Sequence, residues 1–120
     1  MDKPHKKLKA WQLAIDIAVD VYTITGKFPS DEKFGLTSQM RRCAVSISSN
    51  IAEGAARNTK KEFINFLHIA KGSLSELDSQ LELAKRLSYI NEIEWKRFDD
   101  KLTDQDKLLS GLIRSQKEPR

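Results

Sequence analysis

"TKKEFINFLHIAKGSLSELDSQLELA", residues 59–84, decides the fold. Thr59, with Glu62 three residues on, has the form of a capping box, which satisfies free N–H groups at a helix start. Phe63, Leu67, Ala70, Leu74, Leu77, Leu81 and Ala84 then recur in alternating steps of four and three. That spacing draws one apolar seam down a long helix, as in a coiled coil. A lone seam on a long helix must be covered by other helices.

The flanking segments supply them. "SYIN", residues 88–91, makes a turn, and Asn91 with Glu94 repeats the start signal. The fourth helix has a seam of Trp95, Phe98, Leu102, Leu109 and Leu112, with Gln105 interrupting it; Pro119 ends the chain. Upstream, the second helix runs from near Thr37 to Gly54 or Ala56 and buries Met40, Ala44, Ile47 and Ile51. Gly54 is either a C-terminal cap or an interior glycine that lets another backbone approach. The first helix is expected over Lys6–Thr25, with Leu8, Trp11, Ile15, Ala18 and Tyr22 on one face. A second apolar line, Ala10, Ala14, Ile17, Val21 and Ile24, lies beside it. So wide an arc exceeds what one small core needs, which points to contact with another subunit. "GKFPSDEKFG", residues 26–35, breaks the pattern. No strand alternation competes, so the fold expected is all-α: an antiparallel up-down-up-down four-helix bundle.

At 120 residues the chain reads as a single domain, 1–120, with residues 1–5 and 116–120 flexible. Apolar residues make up 39% and charged residues 32%, a globular composition with a heavily charged surface. Cys43 is the single cysteine, which excludes an internal disulfide framework and fits a reducing cytoplasm. "MDKPHKKLKAW" lacks the apolar run of a signal peptide, and no segment has the roughly 18 apolar residues that span a membrane.

The net charge of +4 is modest but unevenly placed. In an antiparallel bundle one end gathers the start of helix 1, the helix 2–3 turn and the end of helix 4. These carry +3 over residues 1–10, +1 over 53–63 and +3 over 107–120, whereas at the other end residues 23–37 sum to 0 and 82–100 to −1. Lys60 and Lys61 fall in the first turn of helix 3, where the helix dipole disfavours cations. Cations beside free N–H groups suit a phosphate; otherwise they are solvated surface lysines. The candidate nucleic-acid-binding set is Lys6, Lys7, Lys9, Arg57, Lys60 and Lys61.

A second candidate lies on helix 2. Gln39, Arg42, Ser46, Ser49 or Asn50, Glu53 and Arg57 follow three- and four-residue steps and form a polar stripe opposite the Met40–Ile51 line. The stripe, with Arg42, Asn50, Glu53 and Arg57 as its main members, is either a site between helices or subunits or a hydrogen-bonded packing surface that sets register. Helix 3 offers a matching line of Asn65, His68, Gly72, Ser75 or Glu76, and Ser79. Gly72 in mid-helix costs about 1 kcal/mol relative to alanine, which a close backbone approach or a bend would explain.

Catalysis finds little support. His5 lies in the N-terminal arm and His68 alone on a helix face, so no oriented Ser-His-Asp set is expected. Asn65 stands where a di-iron Glu-x-x-His motif would need glutamate. Cys43 lacks a CxxC partner and reads as inert packing. There is no P-loop and no GxGxxG. The expectation is a non-enzyme with no cofactor or metal. Trp11 and Tyr22 could stack on bases, but their place on the apolar line assigns them to the core.

"SQMRRCAVSISSNIAEGAAR", residues 38–57, and "KEFINFLHIAKGSLSEL", residues 61–77, carry a family resemblance. The chain resembles, from Leu8 to Leu112, the bacterial four-helix-bundle proteins encoded within intervening sequences of 23S rRNA genes. Cys43 stands where that family has alanine. The resemblance implies an antiparallel bundle and a ring-shaped homo-oligomer, a pentamer. A more distant similarity is to the accessory variability determinant proteins of diversity-generating retroelements, which implies a reverse transcriptase as a partner and nucleic-acid binding through a basic surface. No catalytic residue is implied.

Together these readings favour a non-enzymatic, cytoplasmic homo-oligomer that binds RNA or DNA by phosphate contact at its basic end. The rivals are a protein-binding scaffold using the helix 2 stripe and an enzyme working at a cleft between subunits.

Overall fold

The structure, a computed structural model, describes residues 1–119. A 3-10 turn at Pro4–Lys7 leads into α1, Lys9–Thr25. A second 3-10 turn, Ser30–Glu32, precedes α2, Leu36–Ala55; α3 spans Lys60–Arg86 and α4 spans Glu92–Lys117. α1 packs on α2 and α4, and α3 packs on α2 and α4, with no approach across the diagonals among the described residues. Each neighbouring pair is antiparallel, so the molecule is the expected up-down-up-down bundle, a rod of 50 × 26 × 19 Å.

The helix ends follow local chemistry. Asn91 and Glu94 form a complete capping box: the Asn91 side chain accepts from Glu94 N at 2.8 Å and the Glu94 carboxylate from Asn91 N at 2.9 Å. Thr59 forms only half of one. Its hydroxyl accepts from Glu62 N at 3.1 Å but donates to the Glu62 carboxylate at 3.0 Å, so that carboxylate serves the hydroxyl. α3 ends in a Schellman motif, with Tyr89 N donating to Ala84 O and Ser88 N to Lys85 O, both at 2.9 Å. Ser88 therefore takes the left-handed conformation, φ 62°. The Glu32 carboxylate caps α2 through Leu36 N at 3.1 Å and accepts from the Tyr89 hydroxyl at 2.8 Å, tying the 26–35 loop to the α3–α4 turn.

Three details of the core differ from the periodicity. On α1 the second line, Ala10, Ala14, Ile17, Val21 and Ile24, is the buried one. Leu8, Trp11, Ile15 and Ala18 are only half-buried, and Tyr22 is exposed. Both lines satisfy helical spacing, and α2 and α4 close over one of them. The α-helix also begins at Lys9 rather than Lys6, because Pro4 opens a 3-10 turn first. Finally, Gln105 does not interrupt the α4 seam. It is fully buried between Leu102 and Leu109, and its Nε2 donates to Ala10 O at 2.9 Å, while Trp95 and Leu112 are half-buried and Ile113 closes the seam.

Gly54 lies inside α2 and is a packing glycine, not a cap. A Cβ built on it would fall 2.7 Å from Phe66 Cβ and 2.9 Å from Phe63 Cδ1. Gly72 has nothing within 4 Å of its added Cβ, so no close approach inside the chain explains it.

Candidate functional site

The expected end of the bundle gathers the cations. Lys6 and Lys7 are exposed on the first 3-10 turn, which packs against α2, and Lys9 is exposed at the first residue of α1. Gln12 Nε2 donates to Lys6 O at 3.0 Å, which holds that turn on α1. His5, placed by its sequence in a flexible arm, sits in the same turn with its ring edge-on to Trp11 at 5.0 Å. Lys60 and Lys61 are exposed in the first turn of α3. None of these five lysines has an ion-pair partner among the described residues, and the same holds for Lys107, Arg114 and Lys117 at the end of α4. Arg120, counted with this end, lies outside the described residues.

Arg57 differs from the lysines. Its Nη2 holds the Glu53 carboxylate at 2.8 Å, and its guanidinium lies 4.9 Å from the Phe66 ring centroid. It is pinned to the α2–α3 junction. By the same bonds the carboxylates of Glu53 and Glu62 are engaged, one by Arg57 and one by Thr59.

The polar stripe of α2 divides in two. Glu53 and Arg57 belong to the basic end. Arg42 lies eleven residues earlier, about 16 Å along the helix axis, and shares no contact with them. Between them Asn50 donates to Ser46 O at 2.8 Å, and the Ser46 and Ser73 hydroxyls bond at 2.9 Å across to α3. Ser46 thus bridges α2 to α3, whereas the Asn50 amide bonds back one turn within α2. Arg42 instead borders an open groove of about 470 Å³ between α2 and α3, with Gln39, Glu76 and Phe34 on its walls. Phe34 is 90% exposed, and its only signal in the sequence is an aromatic ring next to Gly35 in a polar loop.

Cys43 lies at the base of that groove, 4% exposed, and its thiol donates to Ser73 O at 2.8 Å. Burial, reinforced by the nearby Glu76 carboxylate, pushes the thiol up to about 12. It is therefore a protonated packing group rather than a nucleophile. His68 is exposed on α3. Tyr22, expected in the core, lies on the surface under Arg41, whose guanidinium is 4.6 Å from its ring centroid. Arg41 also donates to Tyr22 O at 3.2 Å and Thr25 Oγ1 at 2.9 Å, so the pair clamps the end of α1 onto α2.

The arrangement defines a small antiparallel four-helix bundle with a cationic end and an open α2–α3 groove. The chain belongs to the 23S rRNA-intervening sequence protein family, whose profile matches residues 6–111. Its backbone is similar to that of a crystallised protein of unknown function from the S23 ribosomal protein family of Bacteroides thetaiotaomicron VPI-5482. That likeness has a TM-score of 0.78 and 27% identity over 87% of this chain and 97% of the other. No curated protein matches the chain. No helix among the described residues is long and apolar enough to cross a membrane.

Proposed function

We propose that this protein is a non-enzymatic, homo-oligomeric bundle, a pentamer, that binds RNA or DNA through its basic end by contact with phosphates. The observation that carries the reading is the cluster of Lys6, Lys7, Lys9, Lys60 and Lys61, exposed and without ion-pair partners among the described residues, while the nearby Glu53 carboxylate is held by Arg57. Such a surface binds polyanions with little sequence preference, because nothing in it is shaped to read base edges.

Assembly is supported by apolar surface. Val19, Tyr22 and Val45 on α1 and α2, Ile69 and Leu83 on α3, and Leu87 just beyond it are each more than two-fifths exposed. Subunits arranged in parallel would add their basic ends into one charged face.

Fluorescence anisotropy with a structured RNA and a duplex DNA, over a salt series, tests the binding; light scattering tests the assembly. Affinity that falls linearly with salt on a log–log plot upholds phosphate contact. No binding at the lowest salt overturns it. A second reading, a protein-docking scaffold, is favoured by Phe34 standing out beside Arg42 and Glu76; it requires affinity for a partner polypeptide that Phe34→Ala abolishes.

A further inference from the structure

Where α4 ends beside the start of α1, the basic end carries a hollow that the phosphate reading does not use. It is a cavity of about 270 Å³ with Leu8, Ala10, Leu108 and Leu112 on its walls. Gly111 forms part of the same lining, and Lys9 and Lys107 stand at its rim. Arg114 reaches the same place: a Cβ built on Gly111 would lie 3.8 Å from its Nη2. The three leucines are half-buried, so the hollow is an open apolar depression where α1 and α4 meet. Its size falls below the roughly 300–1,000 Å³ of pockets for drug-sized ligands, leaving room for one ring system.

An apolar slot between two lysines, with a guanidinium beside it, has the chemistry of a nucleotide: an apolar-faced ring on an anionic backbone. A duplex cannot use it, because its bases are stacked inside. Granted the phosphate-binding reading of this end, on which it rests, we infer that the cavity seats one unpaired base of a single-stranded RNA or DNA segment. Lys9, Lys107 and Arg114 hold the phosphates on either side. The aliphatic walls supply a face for the base without reading its edges, so the preference is for unpaired nucleotides rather than for a sequence. Gly111 contributes a stretch of the lining that carries no side chain.

The test compares three probes by fluorescence anisotropy at one low salt concentration: a short oligouridylate, the same backbone without bases, and a duplex of equal charge. The oligouridylate is expected to bind roughly five- to tenfold more tightly than the abasic strand, from burying one base face against aliphatic carbon. Gly111→Leu, which adds bulk to the lining, is expected to remove that difference between the two strands. Equal binding of oligouridylate and abasic strand overturns the inference while leaving the phosphate reading intact. Failure of all three to bind overturns both. Should Gly111→Leu not fold, photocross-linking of a 4-thiouridine strand to the unaltered protein decides. Cross-links within residues 8–10 or 107–112 uphold the slot, and cross-links confined to other segments overturn it.

Discussion

Gly54 and Phe66 are packed so closely that the α2 backbone at Gly54 leaves no room for a methyl group. An added Cβ would sit 2.7 Å from Phe66 Cβ, an atom fixed to the α3 backbone that cannot rotate away. Gly54→Ala should therefore force the two helices apart and cost about 1–3 kcal/mol. That outweighs the roughly 1 kcal/mol gained in helix propensity. Gly72→Ala is the control. Nothing lies within 4 Å of its added Cβ, so within one subunit it should stabilise by about 0.5–1 kcal/mol. Urea unfolding of both variants checks the pair. A loss on Gly72→Ala that appears only in the assembled protein would place Gly72 at a subunit contact.

Gln105 is a fully buried amide with one satisfied and one unsatisfied end: Nε2 reaches Ala10 O, while Oε1 has no partner. Gln105→Leu keeps the volume and removes the orphan oxygen, so it should cost less than about 1.5 kcal/mol. Gln105→Ala opens a cavity and should cost about 2–4 kcal/mol. A loss on Gln105→Leu well above that figure, approaching the loss on Gln105→Ala in thermal or urea unfolding, would make the Gln105–Ala10 bond a main support of the fold.

Ser88 holds a left-handed conformation that glycine adopts without steric cost. Among the described residues its side chain makes no hydrogen bond that would be lost. Ser88→Gly should stabilise the protein by up to about 1 kcal/mol, measured as a raised urea midpoint.

Cys43 makes stability depend on pH in the alkaline range. Burial raises its native thiol to about 12, from 9.0 when unperturbed. The unfolded chain therefore loses this proton first, and stability falls as pH rises from about 9 towards 12. The slope is at most about 1.4 kcal/mol per pH unit. Below pH 9 both states hold the proton and the effect vanishes. Cys43→Ala should lack this component, so the difference between the two urea-unfolding profiles isolates it. Native Cys43 should also resist alkylation by iodoacetamide at neutral pH.

At the basic end, each lysine that neutralises a phosphate steepens the salt dependence of duplex binding by about 0.9 in log–log slope. Lys60→Ala/Lys61→Ala should flatten the slope by about 1.8 and weaken binding to all sequences alike. Arg57→Ala should act differently. It frees Glu53 and uncovers Phe66, so unfolding stability should drop along with affinity. An unchanged slope in the double lysine variant would remove α3's first turn from the site.

The sequence determined the number and order of the helices and the antiparallel topology. Helical periodicity and caps such as Asn91–Glu94 act over one or two turns, and short turns leave neighbouring helices no other direction. It also determined which cations share an end, since topology alone carries residues 6–9 and 60–61 there. It could not choose between the two apolar lines of α1, because both have the same spacing and only the angle at which α2 and α4 close over it buries Ala14 and Ile17 rather than Ile15 and Tyr22. Nor could it show that Gly54 is a packing contact, that Gln105 belongs in the core, or that Arg42 faces a groove apart from Glu53 and Arg57. These depend on distances between helices, where a few tenths of an ångström decide whether a methyl group fits, and only the packed tertiary structure sets those distances.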